Sequence, residues 1–300
     1  MTSHIPPPTV AIIGSASLDR LFIQGDWHTS IGGAGLYTAL AAHRAGARVT
    51  LFAPRPEPMP PELAPVAQRL HWLGPVCTPD ELPSFEIAHY GNGRSELVNA
   101  RWGAEVCLTP ENLPPNGLPG AIVYCGPQAD PGRPLAFIQH FQRLGRPILP
   151  SKIVAAGTYG HAVKNFFDTV RQTFLHADIF FCNENEGRLL FGSVEQAATA
   201  PGKLLFITLG QRGAMVIQGN DRTYLSGQAV IEFDPTGAGD TFAGTTLALL
   251  ASGAPPVEAA RQAVAAAAEM VTALGPAKLL DPPPLSTSPP DPHVGRLTHF

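Results

Sequence analysis

Residues 233–243 read FDPTGAGDTFA, and the fold turns on how the small residues at their centre, Gly237, Ala238 and Gly239, are placed. An apolar segment, Ala229-Val230-Ile231 and then Phe233, is expected to be a strand that runs into this turn. A helix is expected from Thr241 onward. The start of a helix leaves backbone N–H groups unpaired, and those donors together with the helix dipole favour an anion. Asp240 stands at the mouth of that site, where a bound phosphate would repel it. A carboxylate in such a place is accounted for by a proton to be taken from a hydroxyl that attacks phosphorus. The alternative is a plain strand-to-helix turn, in which Gly relieves strain and Asp240 caps the helix.

Outward from this turn, short apolar runs alternate with helix-favouring segments. Residues 10–14 (VAIIG) are the short, fully apolar run typical of a buried strand, and residues 49–53 are expected to be a second strand. Residues 35–46 (GLYTALAAHRAG) between them predict a helix ending at Gly46. Further strands are expected at 121–125, 147–149, 179–182, 204–208 and 214–218. Further helices are expected at 63–70, 134–144, 160–174, from Gly187 onward, 241–250 and 256–274. This rhythm predicts an α/β fold, a mostly parallel central sheet with helices on both faces.

Residues 85–100 (FEIAHYGNGRSELVNA) break the rhythm, alternating on either side of Gly91-Asn92-Gly93 as a hairpin does. They are expected to join residues 19–31 in a small β lid, with segments at about 19–31 and 84–102, on a single domain of residues 1–280. Residues 281–300 read as a Pro-rich disordered tail.

Composition narrows the function. Of 300 residues, 44% are hydrophobic and 15% charged, enough apolar material for a sizeable core. A net charge of −4 gives no electrostatic case for nucleic acid or an anionic membrane as partner. No apolar run approaches the ~20 residues that span a bilayer. The N-terminus lacks a basic region followed by an apolar core, so no signal peptide is expected. Cys77, Cys107, Cys125 and Cys182 stand without a CxxC pair, and they predict reduced thiols in a cytoplasmic protein.

Ligands of such sheets sit beyond the carboxyl ends of the strands. Asp19, Gly32-Gly33, Asn183 with Glu186, the Thr208–Gly213 segment and Asp240 all fall in that position. The string D-x-T-G-A-G-D-T-F-x-G, from Asp234 to Gly244, resembles the signature of the ribokinase-like (PfkB) family of small-molecule kinases. Three other motifs in the right order extend the resemblance over residues 9–280. It implies an ATP-dependent phosphotransferase acting on an alcohol group, with Mg2+ and, in some members, K+.

Carried over residue by residue, the resemblance makes Asp240 the base and the backbone of Gly237, Ala238 and Gly239 an anion hole. Asp19, Gly32 and Gly33 would hold acceptor hydroxyls, with Tyr37 beside them; separately from the resemblance, Arg94 of the hairpin is expected either to reach the substrate from the lid or to be a solvated hairpin residue. Asn183 and Glu186 match an N-x-x-E motif whose Glu orders hydrated Mg2+ near the phosphates. Thr208, Gly210 and Gly213 match the T-L-G-x-x-G segment that lines the nucleotide. Asp234 and the Thr236 carbonyl match a monovalent-cation site.

Three departures bear on the ligands. Tyr37 stands where ribokinases proper have Asn, which argues against ribose. Val264 stands where the nucleotide side commonly has Asn, and Leu149-Pro150-Ser151 replaces a frequent Asp. The acceptor classes are a sugar, a cyclitol such as inositol, or a nucleoside. A non-catalytic sensor of sugar or nucleotide is the alternative of another kind, and a homodimer through the lid is a further expectation.

Overall fold

The computed structural model of the chain describes residues 6–91, 95–143 and 153–281. It opens with β1 (Thr9–Ile13), followed by β2 (Ser17–Ile23), β3 (Asp26–Gly32), α1 (Ala34–Arg44) and β4 (Arg48–Phe52). Short elements come next: β5 (Arg55–Pro56), α2 (Ala64–Ala67), β6 (His71–Leu73) and β7 (Val76–Cys77). The hairpin strands β8 (Ser84–His89) and β9 (Ser95–Arg101) lead to β10 (Ile122–Cys125) and α3 (Arg133–Arg143). Then follow β11 (Ile153–Gly157), α4 (Gly160–Asn165), α5 (Phe167–His176), β12 (Ile179–Asn183) and α6 (Glu184–Phe191). β13 (Leu204–Thr208), β14 (Gly213–Gln218) and β15 (Asp221–Ser226) precede the closing helices α7 (Ala238–Ala251), α8 (Pro256–Met270) and α9 (Ala277–Leu280).

Nine strands form the central sheet in the order β15-β14-β13-β12-β11-β10-β1-β4-β6. All neighbours are parallel except β13–β14 and β14–β15. Period-two alternation sends the side chains of each buried strand to two separate cores. Val10 and Ile12 of β1 join Ile122 and Tyr124 of β10 on the face covered by α1, α7 and α8. Ala11, Ile13, Val123 and Cys125 join Phe137, Phe141 and Val170, from α3 and α5, on the other. From β1 the chain winds outward through β4 and β6, and from β10 it winds the opposite way. The strand order therefore reverses between β1 and β10, which opens a crevice at their carboxyl ends.

β2, β3, β8 and β9 make a second sheet, ordered β3-β2-β8-β9. In β2 the buried positions alternate as Ser17, Asp19, Leu21 and Ile23. Asp19 thus lies within a strand, on its inward face.

Several segments differ from the sequence-based expectation, each for a physical reason. Residues 229–233 are irregular, not a strand, and Ile231 is 91% exposed. No strand pairs with the segment; its donors go to α8, with Phe233 N and Asp234 N bonded to the Val271 carbonyl at 2.8 and 3.1 Å. α7 begins at Ala238, and α6 at Glu184 behind an Asn183 cap, both three residues earlier than expected. The expected helix at 160–174 is divided at Phe166, whose φ of −136° is not helical. α2 and α8 are shorter than expected.

The strand β11 (IVAAG) and the edge strand β15, of which only Leu225 is buried, had no expectation. The strand expected at 147–149, with Leu149-Pro150-Ser151, lies outside the described residues, as do Arg94 and all but Asp281 of the expected tail. Among the described residues no helix is long and apolar enough to cross a membrane.

α7 packs on α1 at Gly244, where a methyl group would overlap the Thr38 carbonyl. The last Gly of the D-T-F-x-G string therefore serves helix packing. Gly244→Val should lower unfolding stability by about 1–3 kcal/mol, the usual cost of overpacking, as read by urea denaturation. Unchanged stability would show that the helices part at little cost.

Candidate active site

The N-terminus of α7 is built against α1. Gly237, the N-cap of α7, has φ 79° and ψ 7°, a left-handed conformation open to Gly. A side chain there would run into the Tyr37 ring, so that ring packs directly on the turn. Ala238 N–H donates to the Pro235 carbonyl at 3.2 Å, and Thr241 N–H to the Gly237 carbonyl at 2.8 Å. The N–H groups of Gly237, Gly239 and Asp240 have no acceptor among the described residues. They form the open donor set, which differs by one residue from the expected Gly237, Ala238 and Gly239.

Gly237, Gly239 and Asp240 line a cavity of about 330 Å³ at the carboxyl ends of the central strands. Asp19, Gly33 and Tyr37 line its β1 side, and Asn183, Glu186 and Thr208 its β12–β13 side. Of the remaining expected residues, Thr236 lines the cavity, whereas Gly32, Ala238, Gly210, Gly213 and Asp234 do not. Gly32 acts at one remove, because a methyl group there would overlap Asp19 Oδ2. Gly210 and Gly213 bound the short turn between β13 and β14. Arg212 of that turn pairs with Glu184 at the start of α6.

Asp19 Oδ1 accepts the Phe85 N–H at 3.0 Å, which ties β8 to β2. Asn183 and Glu186 form a reciprocal cap. Glu186 N donates to Asn183 Oδ1 at 3.0 Å, and Asn183 N and Nδ2 donate to the two Glu186 oxygens at 2.8 and 2.7 Å. The cap orients the carboxyl over the cavity, so helix capping and a place on the site coexist.

Asp234 is fully buried, with Oδ1 accepting Thr236 N at 2.9 Å and Oδ2 accepting Gly275 N at 2.7 Å. Its basic neighbour is His89, with Nε2 3.7 Å from Oδ1 and 2.8 Å from Thr236 Oγ1. Burial lowers the His89 pKa, against the opposing pull of Asp234 and Glu232. A buried carboxylate beside a ring that burial keeps from charging suits a monovalent cation. The Tyr37 hydroxyl is pushed well above its ordinary pKa by burial and then by Asp234, Asp19 and Asp240. Ser30, whose Oγ donates to the Ile31 carbonyl, opposes that shift without completing a hydrogen bond to the phenol.

Residues that sequence reasoning missed close the far wall. Ser15, Gln128 and Thr158 stand just past the ends of β1, β10 and β11 and line the cavity. Gln128 is 2% exposed, and neither of its amide atoms has a partner. Thr158 Oγ1 and Glu105 Oε2 are likewise unpartnered. Their positions at the ends of buried strands were the available signal, but no string joins them. Phe85 and Trp102, also on the cavity, meet edge to face at 4.9 Å.

Comparison with known proteins agrees with this geometry. The model of the "pfkB family carbohydrate kinase" matches residues 128–282. A cytidine kinase of Thermococcus kodakarensis (strain ATCC BAA-918 / JCM 12380 / KOD1) is 26% identical over 278 residues, 89% of this chain and 97% of that protein. Among solved structures, a probable sugar kinase from Rhizobium etli CFN 42 superposes with a TM-score of 0.74 at 17% identity, covering 90% of this chain and 94% of its own. A ribokinase from Cryptococcus neoformans var. grubii serotype A, in complex with ADP, gives 0.70 at 19% identity, covering 92% and 97%. These structures share the ribokinase-like fold.

Four carboxyls in and behind the cavity wall share one electrostatic condition. Burial raises Asp19, Glu105, Glu186 and Asp240 each to about 7. Ser17 and the Phe85 N–H oppose the shift at Asp19, and Ala129 N–H and Ser15 oppose it at Glu105. Asp240 keeps some contact with water through the cavity, yet protein atoms surround it and no hydrogen bond offsets the burial. An acid whose folded pKa lies above its unfolded value binds more protons when folded, so its contribution to stability falls as pH rises from about 4 to about 7. Glu105→Gln should therefore raise the Tm over the parent at pH 8 and have little effect at pH 5, where the parent carboxyl is already protonated. Equal shifts at both pH values would mean that Glu105 is not a strained acid.

Proposed function

The chain belongs to the pfkB family of carbohydrate kinases, phosphotransferases with an alcohol group as acceptor, and from that premise we propose a mechanism and an acceptor. ATP gives its γ-phosphoryl group to a hydroxyl held in the cavity, with Asp240 as the base. The observation that carries this reading is a carboxyl poised near neutral pH at a helix start whose N–H groups are unpaired. Asp240 removes the hydroxyl proton as the acceptor oxygen bonds to phosphorus and the bond to the β-phosphate oxygen breaks, releasing ADP. The N–H groups of Gly237, Gly239 and Asp240 face the charge that spreads over the moving group. Ala238 shapes the turn without lending its N–H.

Asp19 and the Gly33 backbone hold the acceptor, and Gly32 leaves room for the Asp19 carboxyl. Mg2+, when bound, would neutralise phosphate charge; Glu186 would hold it through water, with Asn183 fixing the carboxyl. Thr208 and the Gly210–Gly213 turn border the nucleotide. Asp234 and the Thr236 carbonyl would hold K+. Asp240→Asn should lower kcat by about 10²–10⁴-fold, the usual contribution of a positioned base, while ATP binding measured by calorimetry persists. The same change removes a desolvated charge and should raise the Tm at pH 8. Near-normal turnover would remove Asp240 from the role.

For the acceptor, the wall around Gln128 favours a nucleoside over a free sugar or cyclitol. A primary amide presents a donor beside an acceptor, the arrangement found on a nucleobase edge. Phe85, Trp102 and Tyr159 offer aromatic surface to a planar ring. Tyr37 in place of Asn, and the likeness to a cytidine kinase, point the same way. In a coupled assay over ribose, fructose, myo-inositol, cytidine, uridine and adenosine, the nucleosides should show the highest kcat/KM. Gln128→Leu should lower that value about 10–100-fold for nucleosides, as expected for one lost amide–base pair. Preference for a sugar or inositol, or an indifferent Gln128→Leu, would overturn the nucleoside reading and leave the kinase one standing.

A further inference from the structure

β8 is tied to the phosphate-facing turn at its far end. Phe85, Ile87 and His89 alternate along β8 and so share a face. Phe85 and Ile87 line the cavity. His89, the last residue of the strand, reaches beyond it, with Nε2 2.8 Å from Thr236 Oγ1. The ring is nearly buried, and its Nδ1 has no partner. Thr236 is held again through its backbone, whose N–H donates to Asp234 Oδ1, and Asp234 Oδ2 in turn accepts Gly275 N–H. A line of hydrogen bonds thus runs from the second sheet, through His89, Thr236 and Asp234, to the loop before α9.

Thr236 matters because of the peptide that follows it. The Gly237 N–H belongs to the planar Thr236–Gly237 unit, so its direction follows the Thr236 backbone. That N–H is one of the unpaired donors of the turn. At the other end of β8, Phe85 N–H is bonded to Asp19, on the acceptor side of the cavity. One strand therefore touches the acceptor carboxylate and the phosphate-facing turn.

We propose that His89 is a positioning residue for phosphoryl transfer: it sets Thr236, and with it the Gly237 N–H, when β8 lies across the acceptor cavity. The proposal rests on the phosphoryl-transfer reading of the site. It makes the donor geometry of the turn depend on the second sheet being in place, so that the turn is complete only over an enclosed acceptor.

A double-mutant cycle tests it, using His89→Ala, the near-isosteric Thr236→Val, and the two together in the full chain. Each single change should lower kcat about 2–10-fold, the range of one net hydrogen bond, with KM for ATP within about twofold of the parent. The double variant should be no slower than the slower single, because both remove the same contact. A merely structural bond would lower the Tm and leave kcat alone. Unchanged kcat in either single variant, or losses that multiply in the double, would overturn the proposal. Should His89→Ala fail to fold, Thr236→Val alone decides by its kcat. A parent chain that transfers no phosphoryl group to any acceptor would instead remove the reading beneath it.

Discussion

An anion site at a helix start works only if nothing fills it, and here that depends on how closely α7 sits against α1. Tyr37 lies flat against Gly237, and the Thr38 carbonyl meets the bare Cα of Gly244 further along the helix. The two glycines, about two helical turns apart, let α7 approach without a side chain between the helices at either point. Its first turn is thereby aimed at the crevice where the strand order reverses. A wider helix spacing would move the unpaired N–H groups of Gly237, Gly239 and Asp240 relative to Asp19, which β2 carries independently. This packing sets the separation of the sides of the cavity proposed to hold the acceptor and the phosphates.

The same closeness creates the electrostatic tension of the site. Asp240, Glu186 and Asp19 all face a small cavity, and each is costly to ionise there. Asp240 further raises Glu186, so two like charges at the phosphate end resist forming together. Such an arrangement costs stability, a common condition of sites where carboxyls must change protonation. It also suits the chemistry: a base whose pKa lies near neutral can both take a proton and release it. A cation near the phosphates would relieve the tension, and the oxygen-rich end of the cavity beside Asn183 and Glu186 is where it would do so.

The sequence is most legible where chemistry confines several residues to one short string. The run from Asp234 to Gly244 is legible because the turn, its unpaired N–H groups, the proposed base and the helix packing all fall within eleven residues. The Asn183/Glu186 pair is legible for the same reason, since a reciprocal cap needs that spacing. Buried strands such as β1 and β10 could be read from their unbroken apolar runs. β15 could not: an edge strand with a single buried residue carries no period. Residues 229–233 misled in the opposite sense, since they are apolar enough for a strand, yet Phe233 and Asp234 give their N–H groups to the end of α8.

What could not be read at all is the cavity wall proposed to meet the acceptor, and the reason lies in topology. Gln128, Thr158 and Ser15 stand past the ends of three different strands, and Phe85 comes from a separate sheet. Each arrives alone, at a spacing set by helices and loops whose lengths have nothing to do with the ligand. No string can hold such a set together, because the relation among its members exists only once the sheet has formed. The transfer chemistry proposed for the site rests, by contrast, on backbone groups and one carboxyl that lie together between Gly237 and Asp240. On the proposed reading, catalysis is written locally and acceptor choice is distributed over the fold. On the nucleoside reading, the residues that choose the acceptor are sought by asking which buried polar atoms lack a partner, and Gln128, with both amide atoms unanswered among the described residues, is where that question leads first.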